Sequence, residues 1–309
     1  MTALFDAAEE YLRLRRSLGH ELAEAHRLLP RFVAYLDEIG TPTVTIETAL
    51  AWAQLPDVDP MSNVWPRRLM IARGFARHMT AIDERTQVPP IGLLPSRQRW
   101  RTPFIYSPAD ISALMNEARS NRSPLLAAMH ETVIGLLATT GMRVGEAVRL
   151  DRTDIDWAQG VLSIRQSKFG KSRLVPLQPS TTDALRRYAK LRDRTQHTIT
   201  TPGFFVSTRG TRLSYPVFQE VFRRLCTTTG IGAESTIPPR VHDLRHTFAV
   251  TTLLGWYRSG ENVELRLPAL STYLGHRDPR STYWYLSAAP ELLALAAERL
   301  ELSPGVITR

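Results

Sequence analysis

One cysteine, Cys226, stands in a chain of 309 residues. That excludes an intramolecular disulfide and any zinc site built from several cysteines. No apolar run comes near the roughly 20 residues that span a bilayer. The opening Met1-Thr2-Ala3-Leu4-Phe5-Asp6 lacks the basic and apolar regions of a secretion signal. The expectation is a cytoplasmic protein without a membrane partner. Lysine is almost missing as well: Lys168, Lys171 and Lys190 are the only three, against 36 arginines. A general preference for arginine follows genomic base composition. Two lysines within the short stretch Ser167-Lys168-Phe169-Gly170-Lys171-Ser172-Arg173 therefore invite a chemical explanation. Donating a proton is one task arginine performs badly, because its pKa is too high.

What is present describes a soluble globular protein. Hydrophobic residues make up 43% and charged residues 22%, at a length sufficient for two domains with ordinary cores. Charge is unevenly placed. Residues 1–100 hold 12 arginines, no lysine and 12 acidic residues, whereas residues 101–309 hold 27 basic and 18 acidic residues and carry the whole net charge of +9. With a pI near 10.1, an excess concentrated in one part suggests a polyanionic partner, foremost nucleic acid. A well-solvated basic surface is the plain alternative.

Residues 1–86 read as a compact helical bundle. Leu4, Phe5, Ala8, Tyr11 and Leu12 recur at helical spacing, as do Leu28, Leu29, Phe32, Val33 and Leu36. Thr45-Ile46-Glu47 opens a third helix, and a fourth, from Val64 to Ile82, carries Arg67, Arg68, Arg73 and Arg77. Pro89, Pro90, Pro95 and Pro103 mark residues 87–104 as an extended, semi-rigid linker. A second domain, residues 105–309, begins with Ser107 as N-cap and Pro108 at the first helical position. Helical patterns follow at 108–119, 123–140 and 143–150. Strands at 160–165 and 172–177 come next, joined by a hairpin loop around Phe169-Gly170. Further helices are expected at 179–195, 215–228, 239–255, 264–274, 280–287 and 290–300. The fold class is mainly α with a small β-sheet: an N-terminal helical bundle followed by an α+β domain.

Several side chains in the second domain have the chemistry of a phosphate site. Arg143 follows Thr139-Thr140-Gly141, where glycine can turn the chain so that the next helix aims its N-terminal end at an anion. Glu146, three residues on, shares its helical face and either fixes the arginine or forms an ordinary surface ion pair. His242 and Arg245 are three apart and can both point at one phosphate if 239–253 is helical. His242 and His246 have the i, i+4 spacing of a metal-binding helix face. Aspartate at 243, a cation at 245 and the lack of a third ligand make packing the better reading of His246. Leu274-Gly275-His276 precedes the aromatics Tyr283, Trp284 and Tyr285, any of which spacing alone would allow as core.

Taken in order, Arg143 with Glu146, Lys168, His242-x-x-Arg245, His276 and Tyr285 nine residues later resemble the tyrosine site-specific recombinases of the phage integrase family. The resemblance covers about residues 105–290 with no catalytic position substituted; for residues 1–86 it is one of architecture, a core-binding domain that clamps DNA. It implies that Tyr285 is the nucleophile, with Tyr283 in reserve, and that Arg143 and Arg245 offset charge on the scissile phosphate. Glu146 would accompany Arg143, His242 would assist proton transfer to or from the tyrosine, and His276 would bond a non-bridging oxygen. Lys168 would protonate the leaving 5′ oxygen. Lys171 and Arg173 would grip the DNA backbone, and Arg67, Arg68, Arg73 and Arg77 would line the clamp.

The expected reaction is recombination through a 3′-phosphotyrosyl intermediate, needing no metal, nucleotide or other cofactor. Its partners would be double-stranded DNA at specific sites and further copies of the chain, as a homotetramer, with an accessory protein or partner recombinase compatible with the scheme. The tail Pro290–Ala296 would close the fold or dock on a neighbouring copy. No arm-binding domain is expected before the bundle, which would point to a mobile-element or Xer-like enzyme. A type IB topoisomerase shares the chemistry, and a DNA-binding protein that no longer cuts is the rival from another class; a hydrolase with a metal on His242 and His246 is more remote.

Overall fold

The computed structural model describes residues 2–20, 22–56, 63–95, 102–165, 172–196, 198–276, 278 and 280–288, apart from the side chains of 23, 280, 287 and 288. Two compact units divide the chain, Met1–Trp100 and Arg101–Arg309.

In the first unit, α1 (Ala3–Ser17), α2 (Ala23–Glu38), α3 (Ile46–Ala53) and α4 (Val64–Met79) each turn an apolar stripe inward. Leu4, Leu12, Leu29, Phe32, Leu36, Trp52, Leu69 and Phe75 meet in one core. Of the stretch read as a linker, residues 87–95 are fastened to these helices. Val88 and Leu94 pack on the core, and the Gln87 amide donates to the Val44 carbonyl at 2.8 Å. Arg73 gives Nε to the Pro89 carbonyl and Nη2 to the Pro90 carbonyl, both at 2.7 Å.

The spine of the second unit is α6 (Pro124–Thr140), of which ten residues are buried. It packs against α5 (Pro108–Arg119), α8 (Pro179–Thr195) and α10 (Asp243–Arg258). Ser107 and Ser123 cap α5 and α6, each with proline at the helix start. After the short α7 (Val144–Arg149) come β1 (Ile155–Asp156), β2 (Val161–Ile164) and β3 (Arg173–Pro176), an antiparallel sheet in that order with Ile164 opposite Arg173. Leu162, Ile164 and Val175 face the main core. α9 (Tyr215–Thr229) adds Phe218 and Phe222 to it. α11 (Val263–Leu274) and α12 (Arg280–Ala288) pack with α10 around a satellite core of Leu253, Leu267, Leu270, Leu274 and Tyr285.

The structure differs from expectation at three elements, the first being α4, which ends at Met79 rather than Ile82. A third strand, β1, extends the hairpin; at two residues it is too short to leave a periodic pattern. And α10 starts at Asp243 rather than 239, running on to Arg258. Pro238 and Pro239 precede it and lack the amide hydrogens a helix interior needs. The Asp243 carboxylate instead takes the Arg240 amide at 3.0 Å and Arg240 Nη2 at 2.8 Å. The helix expected at 290–300 lies outside the described residues. Among those described, no helix is long and apolar enough to cross a membrane.

His130, on α6, is 4% exposed and its ring stacks on Phe218. Burial, then the charge of Arg224, lower its pKa from 6.5 to about 4. An imidazole that binds its proton less readily folded than unfolded withdraws stability as pH falls from about 6.5 toward 4. Between pH 7.5 and 5 the His130 contribution should be on the order of 2 kcal/mol. Urea midpoints measured across that range should slope less for His130→Gln than for wild type, and equal slopes would refute the assignment.

Candidate active site

Two helix ends build the site. α6 stops at Gly141, whose φ of +58° is left-handed, and a Cβ there would lie 2.4 Å from Phe248 Cδ1. α11 stops at Gly275, φ +68°. The last carbonyls of a helix have no internal partner, and they carry the negative end of its dipole. Arginines satisfy them here. Arg245 donates Nη1 to the Gly141 carbonyl at 2.9 Å and Nη2 to the Leu274 carbonyl at 2.7 Å. Arg143 donates Nη2 to the Gly275 carbonyl at 2.7 Å. Arg245 is only 2% exposed; burial, then the neighbouring Arg143, lower its pKa to about 10, and it remains a cation at neutral pH.

Glu146 lies between two of the arginines, 4% exposed. Its Oε2 accepts the Arg143 amide at 2.9 Å and its Oε1 accepts Arg143 Nη1 at 2.8 Å, which also caps α7. From the other side Arg173 donates Nη1 to Oε1 at 2.9 Å and Nη2 to Oε2 at 2.8 Å, while its Nε reaches the Tyr273 carbonyl at 2.8 Å. Burial alone would raise the carboxyl pKa; the hydrogen bonds and charge of Arg173, then of Arg143, reverse this and hold it at about 2. Arg173 was expected on the DNA backbone. Its side chain is instead 11% exposed and committed to Glu146 and Tyr273.

The histidines and the tyrosine close the cluster. His242 is the exposed N-cap of α10; crowding of its ring by protein, then the Arg245 charge, lower its pKa. One turn on, the His246 ring packs against His242 at 5.0 Å, Tyr285 at 5.4 Å and Trp284 at 5.5 Å. His276 stacks on Tyr285 at 6.0 Å, and its Nδ1 bonds Thr282 Oγ1 at 2.7 Å. Burial lowers the pKa of His246 to about 3, helped by His242, and that of His276 to about 3, helped by Arg245. Tyr285 is 2% exposed. Burial raises its pKa, opposed by the charge and hydrogen bond of Arg245. Tyr283, two positions earlier, is 51% exposed. Among the described residues no group of three His, Cys, Asp or Glu joins the two α10 histidines.

The expected DNA contacts are scattered. Lys168 and Lys171 lie outside the described residues. Arg67 and Arg77 are exposed on α4, Arg67 within 3.4 Å of Glu24. Arg73 is half-buried on the two proline carbonyls. Arg68 is 6% exposed with its guanidinium 5.7 Å from the Trp52 ring centre, so it belongs to the bundle core rather than to a DNA-facing surface. Residue spacing along α4 shows this after the fact, since consecutive positions diverge by about 100°. Thr282, which fixes the His276 ring, was missed; a lone threonine carries no signal of that kind.

The phage integrase family profile matches residues 106–291. The chain belongs to the phage integrase family. These are the tyrosine recombinases, which break and rejoin DNA. The Sinorhizobium fredii (strain NBRC 101917 / NGR234) protein y4rB, which carries an integrase/recombinase name, is 43% identical over 310 residues, covering 97% of this chain and 98% of y4rB. Tyrosine recombinase XerD of Ralstonia nicotianae (strain ATCC BAA-1114 / GMI1000) is 31% identical over 243 residues, 76% of this chain and 72% of XerD. Among solved structures, the Tn1549 transposon integrase in complex with transposon right end DNA superposes with a TM-score of 0.66 at 18% identity, covering 97% of this chain and 100% of that one. A lambda integrase dimer bound to a COC′ core site gives 0.56 at 18% identity, covering 90% and 96%. Both share the fold of this tyrosine recombinase.

Gly141→Ala tests the frame of the site. The left-handed backbone and the Phe248 contact each cost roughly 1–3 kcal/mol with a side chain present. Urea unfolding should therefore register a loss of about 3 kcal/mol. A loss below about 0.5 kcal/mol, the range of neutral surface changes, would show that the α6 terminus does not depend on glycine.

Proposed function

We propose that the protein is a site-specific DNA recombinase in which Tyr285 cuts one strand of a duplex and holds it as a 3′-phosphotyrosyl ester. The observation that carries this reading is the meeting of a tyrosine phenol, two buried or half-buried arginines and neutral histidines at one point of the fold. In-line attack forms the bond from Tyr285 Oη to phosphorus and breaks the bond from phosphorus to the 5′ oxygen. Arg143 and Arg245 offset charge on the non-bridging oxygens, where arginine is suited by its forked donors and fixed charge. Since they are held by carbonyls and Glu146 beforehand, little reorganisation is left for the reaction.

The proton ledger follows from the pKa directions. Tyr285 is protonated at neutral pH, so its proton must leave as attack proceeds, and in this scheme His242, neutral there, takes it. Lys168 gives a proton to the departing 5′ oxygen. A free 5′ hydroxyl from a partner strand then reverses each step, so the ester conserves the bond. His276, oriented by Thr282, donates to a non-bridging oxygen. With the Tyr285 ring 2% exposed, DNA has to draw it out of the α10–α11–α12 core before attack. Exchange between two duplexes takes four such sites, hence a homotetramer on DNA. The excess of positive charge beyond residue 100 faces the phosphates, which makes binding steeply salt-dependent.

Covalent trapping tests the reading. Nicked duplexes from DNA flanking the gene, incubated with protein and run on a denaturing gel, should give an adduct with wild type and Tyr283→Phe but not with Tyr285→Phe. Arg245→Ala should slow adduct formation by a factor on the order of 100 to 1,000, as for loss of one preorganised charge-stabilising donor. An adduct that survives Tyr285→Phe and disappears with Tyr283→Phe would move the nucleophile. Relaxation of supercoils without any sequence requirement would favour a topoisomerase.

A further inference from the structure

We infer that Arg173 is a positioning residue of the cleavage reaction: it aims Arg143 through Glu146 and anchors the start of β3 to the turn that carries His276. The inference rests on the reading of this cluster as a DNA-cleaving site. Arg173 is the first residue of β3, paired with Ile164 across the hairpin. Its side chain runs inward. The guanidinium fork takes both oxygens of Glu146 at 2.9 and 2.8 Å, the same two oxygens that accept the Arg143 Nη1 and amide. The third donor, Nε, holds the Tyr273 carbonyl, two residues before Gly275, whose own carbonyl holds Arg143. A Cβ on Gly275 would stand 3.1 Å from Arg173 Nη1, so the turn lies directly on this guanidinium.

Charge gives the arrangement its purpose. A carboxylate paired with Arg143 alone would cancel the cation that has to meet the phosphate. Shared with Arg173, Glu146 fixes the geometry of Arg143 while Arg143, Arg173 and Arg245 still exceed it by two charges. Lysine cannot replace this fork, because an ammonium is a point charge without the planar two-point match to a carboxylate. Arg173 opens β3, so one side chain registers the start of that strand, the Arg143–Glu146 pair and the turn after α11 against each other.

Adduct formation under single turnover, on duplexes that wild type converts, separates this role from a backbone contact. DNA affinity and its salt dependence would be measured in the Tyr285→Phe background. Arg173→Gln should slow adduct formation by about 100-fold, the cost of displacing a catalytic group by about 1 Å, with affinity and salt slope unchanged. Arg173→Lys should recover only part of the rate. In Arg173→Gln combined with Glu146→Gln, no buried carboxylate is left unpaired. That double variant should lose less than the product of the two single losses.

A weaker affinity with a salt slope lower by about one, and normal cleavage once bound, would make Arg173 a phosphate contact and overturn the inference. Multiplying single losses would overturn it too. Thermal melts check folding, and if Arg173→Gln fails to fold, the same readings are taken from Arg173→Lys. Wild type without any adduct would sink the cleavage reading itself; a wild-type adduct with Arg173 variants unaffected would sink only the role of Arg173.

Discussion

Holding like charges close together is the constraint on which the arginine cluster depends. Three guanidiniums, those of Arg143, Arg173 and Arg245, converge around one carboxylate that is 4% exposed. Unpaired cations in such a place would cost several kcal/mol each. Two sources of negative potential offset this. One is Glu146, fully ionised with its pKa held at about 2. The other is the set of orphan carbonyls where α6 and α11 end, which accept from Arg245 and Arg143. Both ends are free to lie this near because Gly141 and Gly275 carry no side chain and turn left-handed. In the proposed reaction that surplus positive charge is what a phosphodiester meets.

The same field decides the state of the other groups. His246 and His276 sit beside cations in a half-buried place, and their lowered pKa values leave them uncharged at neutral pH. Uncharged imidazoles pack against a phenol where charged ones would add to the repulsion. Tyr285 has a double part. Its ring completes the satellite core of α10, α11 and α12, and the same burial keeps it protonated. In the proposed reaction a phenol stored this way does not meet chance phosphates, and its exposure and its activation become one event, on DNA.

How much of this was legible in the sequence depended on the kind of signal. Elements with strong punctuation were readable to within a residue or two: Ser107-Pro108 opens α5, Ser123-Pro124 opens α6, and Gly141 and Gly275 close their helices. β1 was not, because two residues have no period. The α10 start was misplaced because the apolar pattern did not mark it, while Pro238, Pro239 and the Asp243 carboxylate set it at 243. At the site, the resemblance singled out Arg143, Glu146, His242, Arg245, His276 and Tyr285, and the elements that carry them pack together in the fold. Direction was not legible. Whether Arg68 faces solvent or Trp52, and whether Arg173 points out to a backbone or in to Glu146, is set by packing between segments far apart in the chain.

Those inward arginines also explain why the scarcity of lysine is informative. Each arginine of the site serves at least two acceptors at once: Arg245 two carbonyls, Arg143 a carboxylate and a carbonyl, Arg173 both carboxylate oxygens and a carbonyl. Only a planar fork can bridge acceptors fixed by separate helices. Such a group never releases its proton, so a site made of arginine alone can stabilise charge but cannot protonate a leaving oxygen. That task needs a lower pKa. Rarity by itself does not mark it, for Lys190 is simply exposed on α8. In the proposed reaction it falls to Lys168, five residues before Arg173, and Arg173 opens β3 locked to the carboxylate that orients Arg143.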